Sequence, residues 1–443
     1  MDQQAEISSG PRRSGAAPDV SFVMPCLDET RSLAACIAAI REAETRIAAS
    51  YVLTCEIVVA DNGSTDGSQA LAESLGARVV TVAEKGYGAA LRGGFLAARG
   101  RYLVMGDADG SYDFREAVAM IGALVAGADL CIGSRFKGAI RPGAMPWKNR
   151  YVGNPLLTAM LNLLFNAKVS DAHCGLRAIT RACFERLRLT GPGMEFASEM
   201  VIKAALKGEK IVERPATLSP DLRDRPPHLR PWRDGWRHLR YLFMLSPAWL
   251  FALPGALATI AGLFILASSG IHFLLARGSE FFFGNYWEVL ASSLVGVGYV
   301  ALLLALASHL HGVRSGYRKA PGWFVWLARW VNLESMILVG VGLVTLGGLD
   351  LVAVFAAWNR HVLTRADSVF PVVLGTLLMS LGAQTIFGGF LLAIIGGNEA
   401  QFIHLPGDEP EWSALPEPAP GLKLSAEPSR GHDASETDRH RLP

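Results

Sequence analysis

The sequence predicts an α/β domain with a mainly parallel, Rossmann-like sheet, followed by an α-helical transmembrane domain of four helices. Three observations carry this. Short apolar strands alternate with helical segments through the front half, at the spacing of a doubly wound sheet. Charge is split along the chain: residues up to about 245 hold most of the Lys, Arg, Asp and Glu, and long apolar runs fill the region from about 248 to 396. Four of those runs are long enough to cross a bilayer. Over 443 residues, 51% are hydrophobic and 19% charged, too apolar for a purely soluble protein and too charged for a purely membrane one. The net charge of +2 points to no nucleic acid partner.

Residues 1–18 are rich in Ser, Gly, Pro and Arg and are expected to be a disordered tail. They hold no apolar run, so no signal peptide is expected and the front half is placed in the cytoplasm. The front domain is expected over 19–228. Its strands are read at 20–24, 56–60, 77–82, 101–105 and 129–133, and its helices at 29–49, 66–75, 87–99 and 114–126. Six cysteines, none in a C-x-x-C pair, are read as single buried thiols. Residues 229–247 form the junction. Arg230, Arg233, Arg237 and Arg240 recur at helical spacing, with Trp232, Trp236, Leu239 and Phe243 on another face. Such a helix lies in a membrane interface. The transmembrane domain is expected over 248–398, with spans near 248–276, 287–308, 333–358 and 369–396. The loop between the second and third spans carries Arg314, Arg318, Lys319 and Arg329, which places it on the cytoplasmic side. Asp350 and Gln384 are polar interruptions of the spans, and Gly340, Gly342, Gly347 and Gly348 suit close helix packing. Residues 399–443 are read as a second disordered tail.

In an open parallel sheet, ligands bind beyond the carboxyl ends of the strands. Each acidic motif falls there. Asp107-Ala108-Asp109 follows a strand, and residues two apart on a continuing pleat face one side. Paired carboxylates are hard oxygen ligands for Mg²⁺ or Mn²⁺. Asp113 could join that shell or cap the next helix. Asp61 to Gly67 follows another strand and offers a base- or ribose-binding acceptor, or a plain Asx turn. Glu84-Lys85-Gly86-Tyr87-Gly88 precedes a helix whose amino terminus favours anions.

Taken in order, these motifs resemble glycosyltransferase family 2. Pro25-Cys26-Leu27-Asp28-Glu29 is similar to its P-x-x-N-E, and Asp61 to Ser68 to its D-D-G-S-x-D-G-T. Lys85 to Gly88 resembles its G-x-G turn, Asp107 to Asp113 its D-A-D-x-S-x-D, and Gly133 to Phe136 its G-S-R-[YF]. Asp171 to Arg177 resembles its D-x-x-[SC]-G-[FL]-R. Asp28 and Asn62 depart from the pattern. The nearest subgroup is the polyprenyl-phosphate sugar synthases, of the dolichyl-phosphate mannose synthase and bactoprenol glucosyltransferase kind. No Q-x-x-R-W motif is present, which argues against a polysaccharide polymerase.

The resemblance implies a GT-A fold and an inverting hexosyltransferase. Its donor would be a nucleotide diphosphate sugar, UDP-glucose or GDP-mannose, and its acceptor a polyprenyl phosphate in the membrane lipid. Carried over, Pro25, Glu29 and Asp61 would hold the nucleoside, and Lys85 and Arg135 would lie near phosphates. Asp107 and Asp109 would serve the metal and donor. Asp171 would sit at the reacting centre, and Arg177 near the acceptor phosphate. From its spacing, the arginine face of Arg230, Arg233, Arg237 and Arg240 is either a simple anchor on anionic lipid or the place where one or two of them grip the lipid phosphate. The expected location is a bacterial plasma membrane, multi-pass, with the catalytic domain cytoplasmic; homo-oligomerisation is left open. Two rivals are a glycolipid synthase acting on a lipid hydroxyl, with Asp171 as its base, and a non-catalytic scaffold of a glycan-assembly complex.

Overall fold

The computed structural model describes residues 17–222, 231–275, 282–360, 369–398 and 400–402, with only the helical backbone described over 231–234. Most of both expected tails, together with Arg230 and the Arg233 side chain, lies outside the described residues.

The front domain opens with β1 (Val20–Cys26), α1 (Thr30–Tyr51), β2 (Cys55–Asp61), α2 (Ser68–Ser74), β3 (Arg78–Thr81), α3 (Tyr87–Ala97) and β4 (Tyr102–Met105). A 3₁₀ turn (Phe114–Glu116) leads into α4 (Ala117–Val125), then β5 (Leu130–Ile140), α5 (Asn154–Phe165), β6 (Arg177–Thr180), α6 (Arg181–Leu187), α7 (Phe196–Lys207) and β7 (Ile211–Leu218). The strands form one seven-stranded sheet, ordered β3-β2-β1-β4-β6-β5-β7. Strand β6 runs antiparallel to both its neighbours, and every other pair is parallel. The central strands are apolar on both faces because helices cover both. Phe22, Phe95, Phe114 and Phe196 are fully buried between these layers.

The back half continues with α8 (Pro231–Met244), α9 (Leu253–Leu275), α10 (Asn285–Arg314), α11 (Gly322–Ala328), α12 (Leu333–Asn359) and α13 (Phe370–Ile395). Among the described residues four helices are long and apolar enough to cross a membrane: Ala248–Leu275, Asn285–Arg314, Leu333–Asn359 and Phe370–Ile395. Their contacts run through small residues. A Cβ at Gly340 would lie 2.7 Å from the Gly382 carbonyl oxygen, and one at Gly347 2.5 Å from that of Gly375. Such approach lets helices pack where water supplies no hydrophobic drive. Gly342 and Gly348 meet nothing within 4 Å, so only half of that glycine set serves packing.

Helix α8 has two functional faces. His238, Leu242 and Leu245 are buried against the front domain, while Trp236, Arg237, Arg240 and Met244 are exposed. Trp236 therefore points away from the domain, as an interfacial anchor does.

Candidate active site

The first loop pair is built by Asp28, Asp61 and Asn62. Asp28 adopts a left-handed backbone (φ 55°), which Asp and Asn tolerate better than other non-glycine residues. Its carboxylate accepts from the Thr65 N–H at 2.8 Å. Asp61 is fully buried; one oxygen accepts from the Gly63 N–H at 2.9 Å and from Gln69 Nε2 at 2.6 Å. Burial alone would raise its pKa, but hydrogen bonds from Ser64, Gly63 and Gln69 outweigh that and hold it low. Asp61 thus builds the Asx turn, and Glu29 is buried at the head of α1, its N–H donating to Ser68 Oγ at 3.0 Å.

Asn62 explains its departure from the family pattern. Its amide nitrogen donates to the Val82 and Glu84 carbonyls at 3.0 and 2.7 Å, and its Oδ1 accepts from the Gly86 N–H at 2.8 Å. A carboxylate could not make the two donations. Lys85 Nζ donates to the Asn62 carbonyl at 2.6 Å, tying the same two loops.

Asp107 and Asp109 follow β4 at the centre. The Tyr87 hydroxyl, at the start of α3, donates to Asp107 Oδ1 at 2.8 Å. Burial and the charge of Asp107 push the Tyr87 pKa well up, so the phenol stays a donor. On the other side, a Cβ on Gly175 would lie 2.7 Å from Asp107 Oδ2 and 2.9 Å from the Tyr112 ring. The Gly175 N–H donates to the Tyr112 hydroxyl at 2.9 Å. Asp107 is therefore clamped between α3 and the 171–175 loop. Asp109, 7% exposed, accepts from the Ser111 N–H at 2.9 Å. Among the described residues no group of three His, Cys, Asp or Glu forms a metal cage. Two carboxylates at one strand end still fit Mg²⁺ or Mn²⁺, since such ions commonly take one or two carboxylates and complete their shell with substrate phosphate and water. Asp113 does not join them: it caps the turn at Phe114–Glu116 and pairs with Arg115 Nε at 2.8 Å.

Asp171 and Arg177 are placed differently from the expectation. Asp171 is fully buried in a two-pronged pair with Arg135, at 2.7 Å from Nε to Oδ2 and 2.7 Å from Nη2 to Oδ1. Burial would raise this carboxyl, yet the hydrogen bonds and charge of Arg135 hold it below its ordinary value. Arg135, expected near phosphates, is only 8% exposed and committed to this pair. Arg177 is wholly buried, its guanidinium donating to the Cys174, Ala197 and Ala172 carbonyls at 2.8, 2.5 and 2.8 Å. It organises the loop from within. Glu199 is likewise internal, paired with Lys203 at 2.6 Å and accepting from Thr190 and Gly191.

Beside the clamp lies a cluster that sequence reasoning missed. The Ser198 hydroxyl on α7 lies 2.9 Å from His238 Nδ1 on α8 and 3.3 Å from His173 Nε2. The two rings meet edge to face, with centroids 5.1 Å apart. Tyr87 and Tyr112 were also missed as site residues, although both lie inside quoted motifs. Burial pushes the six free thiols up, to about 11 at Cys26 and about 12 at the others, so none is an activated nucleophile.

A carboxylate pair past β4 in this sheet, carried on a membrane-spanning helical domain, defines a membrane-anchored GT-A-type transferase. The chain belongs to glycosyltransferase family 2: the model described as Glycosyl transferase family 2 matches residues 21–188, and that for the Glycosyltransferase family 2 C-terminal transmembrane region matches 306–396. It is a glycosyltransferase and a membrane protein. It is 36% identical to the low-salt glycan biosynthesis hexosyltransferase Agl6 of Haloferax volcanii, over 86% of this chain and 90% of that protein. It is 29% identical to the polyprenol monophosphomannose synthase of Mycolicibacterium smegmatis, over 47% of this chain and 84% of that protein. Among solved structures, glucosyl-3-phosphoglycerate synthase from Mycobacterium tuberculosis, in complex with Mn²⁺, UDP and glucosyl-3-phosphoglycerate, aligns with a TM-score of 0.38 and 22% identity. That alignment covers 51% of this chain and 78% of that one.

Proposed function

We propose that the protein transfers a hexose, with inversion, from a nucleotide diphosphate sugar to a polyprenyl phosphate at the cytoplasmic face of its membrane. The observation that carries this reading is the clamped Asp107, set with Asp109 past a parallel strand in a domain whose chain runs directly into four spans. The kinship with a polyprenol monophosphomannose synthase supports it.

The Asp61 turn and Glu29 take the nucleoside, and the 84–88 turn, closed by Asn62, lies beside the diphosphate. Asp107 and Asp109 would hold Mg²⁺ or Mn²⁺, and the ion would supply positive charge to the departing diphosphate. An acceptor phosphate oxygen forms the new bond to the anomeric carbon as the bond to the nucleoside diphosphate breaks on the opposite face. A phosphate monoester is already largely anionic at neutral pH, so no strong base is needed. That agrees with Asp171 being buried against Arg135. Asp171 and Arg135 position the loop whose Gly175 backs Asp107. Arg237 and Arg240, exposed on α8, are the described candidates for the lipid phosphate.

The test is the purified full-length protein in lipid, screened with several sugar nucleotides and a polyprenyl phosphate. The expected product is a sugar–phosphate–lipid that mild acid cleaves, formed with Mg²⁺ or Mn²⁺ and lost with chelator. Asp107→Asn and Asp109→Asn should each abolish transfer while melting within a few degrees of wild type. Wild-type rates in both would sink the metal assignment. An acid-stable product would replace the phosphate acceptor by a lipid hydroxyl.

A further inference from the structure

A basic cleft of about 270 Å³ lies between the catalytic domain and the membrane domain, lined by Arg186, Lys207, Glu209, Gly316, Arg318 and Lys319. The first three come from the ends of α6 and α7, and the last three from the loop that joins the second and third spans. Four cations thus face one carboxylate. That carboxylate is already engaged, since Arg186 grips Glu209 at 2.9 Å through Nε and 2.6 Å through Nη2. Burial and the nearby charges of Arg188, Arg186 and Lys203 push the Lys207 pKa down, although Glu209 opposes them. Asp129 also pairs with Arg186 at 3.1 Å, so among the described residues four cations meet two carboxylates and the cleft keeps an excess of positive charge.

Its position fixes what could neutralise it. Gly316 sits two residues past the end of the span Asn285–Arg314 and turns the loop with φ 72°, a left-handed conformation that suits glycine. Arg318 Nη2 donates at 2.7 Å to the carbonyl of Leu245, where α8 gives way to the first span. The cleft is thus tied to both chain segments that enter the membrane, at headgroup depth. It is not the catalytic centre. Glu209 and Lys210 precede β7, whose first residue pairs with Leu130 at the amino-terminal end of the parallel strands, whereas Asp107 lies past their carboxyl ends.

The geometry points to a binding site for the phosphate of an anionic phospholipid headgroup, bridging Lys207 of the catalytic domain to Arg318 and Lys319 of the membrane domain. A basic pocket at this depth gains about 1 kcal/mol per cation near an anionic surface. Such a lipid would fasten the two domains together at their far edge.

The test uses the full-length protein in phosphatidylcholine nanodiscs titrated with phosphatidylglycerol, reading lipids retained by native mass spectrometry. Lys319→Gln changes an exposed side chain and should leave folding intact. It should weaken phosphatidylglycerol retention about fivefold, and Lys207→Gln/Lys319→Gln about 25-fold. Arg46→Gln, on exposed α1, should change nothing. Retention unchanged in both cleft variants would overturn the proposal, as would an equal loss in the Arg46 control. Millimolar inorganic phosphate displacing the lipid completely would also overturn it, by making the cleft a site for free anions.

Discussion

Replacing Gly175 by alanine tests whether the clamp on Asp107 matters. The added Cβ would lie 2.7 Å from Asp107 Oδ2 and 2.9 Å from Tyr112 Cε2. The Tyr112 ring is buried, and its hydroxyl receives the Gly175 N–H at 2.9 Å, so it cannot retreat without breaking that bond. The carboxylate must then move by about 0.7 Å to regain an ordinary contact of 3.4 Å. Its other oxygen is held by Tyr87, so the strain is shared between two fixed partners. A misplacement of about 1 Å at a reacting centre can cost about 10²-fold in rate. Gly175→Ala is therefore expected to cut kcat by about 10- to 100-fold. Overpacking should cost about 1–3 kcal/mol of stability. Tyr87→Phe removes one hydrogen bond to a charged group, worth about 1.5–3 kcal/mol, with no added bulk. It should lower kcat in the same direction, with a stability loss that comes from the lost hydrogen bond and not from overpacking. The assay is nucleoside diphosphate release at saturating donor, beside a thermal melt. Full kcat in Gly175→Ala at an unchanged Tm would refute the claim that the loop sets the carboxylate's position.

Three further outcomes follow from the same contacts. Asp171→Asn leaves the Arg135 charge buried without its partner and should destabilise the catalytic domain by about 3–5 kcal/mol, seen as a lower melting temperature before any kinetic effect. His173 is driven down from 6.5 to about 3 by burial and by the charges of His238, Arg135 and Arg177, against the pull of Asp171. A histidine depressed in the fold is protonated first in the unfolded chain, so its contribution is whole above pH 6.5 and declines as pH falls toward 3. His173→Asn should flatten the stability profile across that window; an unchanged slope would remove His173 as its source. In the membrane, Gly340→Leu should disrupt the packing of α12 on α13, while Gly342→Leu, facing open space, should melt like wild type.

The first five strands and the four spans were legible because each is an apolar run bounded by a turn signal. Strand β2 was expected at 56–60 and spans Cys55–Asp61; the third membrane helix was expected at 333–358 and spans Leu333–Asn359. Strand β6 was not legible. It has four residues, opens with Arg177, and is apolar only at Ala178 and Ile179, so nothing in its period separates it from a loop. Its buried arginine is tolerated because three carbonyls surround the guanidinium, which is tertiary information. The same limit governs the site. The order of motifs singled out Asp107 and Asp109 past a strand end, but it put Asp171 at the reacting centre and gave no sign of its pair with Arg135. The fold chose Arg135, because β5 and β6 are neighbours and the 170–175 loop crosses above both.

Helix α7 shows why the membrane half is more than a tether. Ser198 near its start joins His173 of the catalytic loop to His238 of α8. One residue on, Glu199 holds the 190–191 turn, and the Gly191 carbonyl oxygen lies 2.3 Å from where a Cβ on Gly88 would stand, against the first turn of α3 that presents Tyr87. One helical turn further, Lys203 lies over the Tyr317 ring of the membrane loop, 5.8 Å from its centroid. A single rigid element therefore touches the loop behind Asp107, the helix that holds Asp107 from the other side, the interfacial helix and the loop between spans. Any shift of α8 or of the 315–321 loop must be absorbed by α7, and close-packed interiors pass such shifts on instead of damping them. Asp107 is thus joined to the membrane helices through the contacts of one helix.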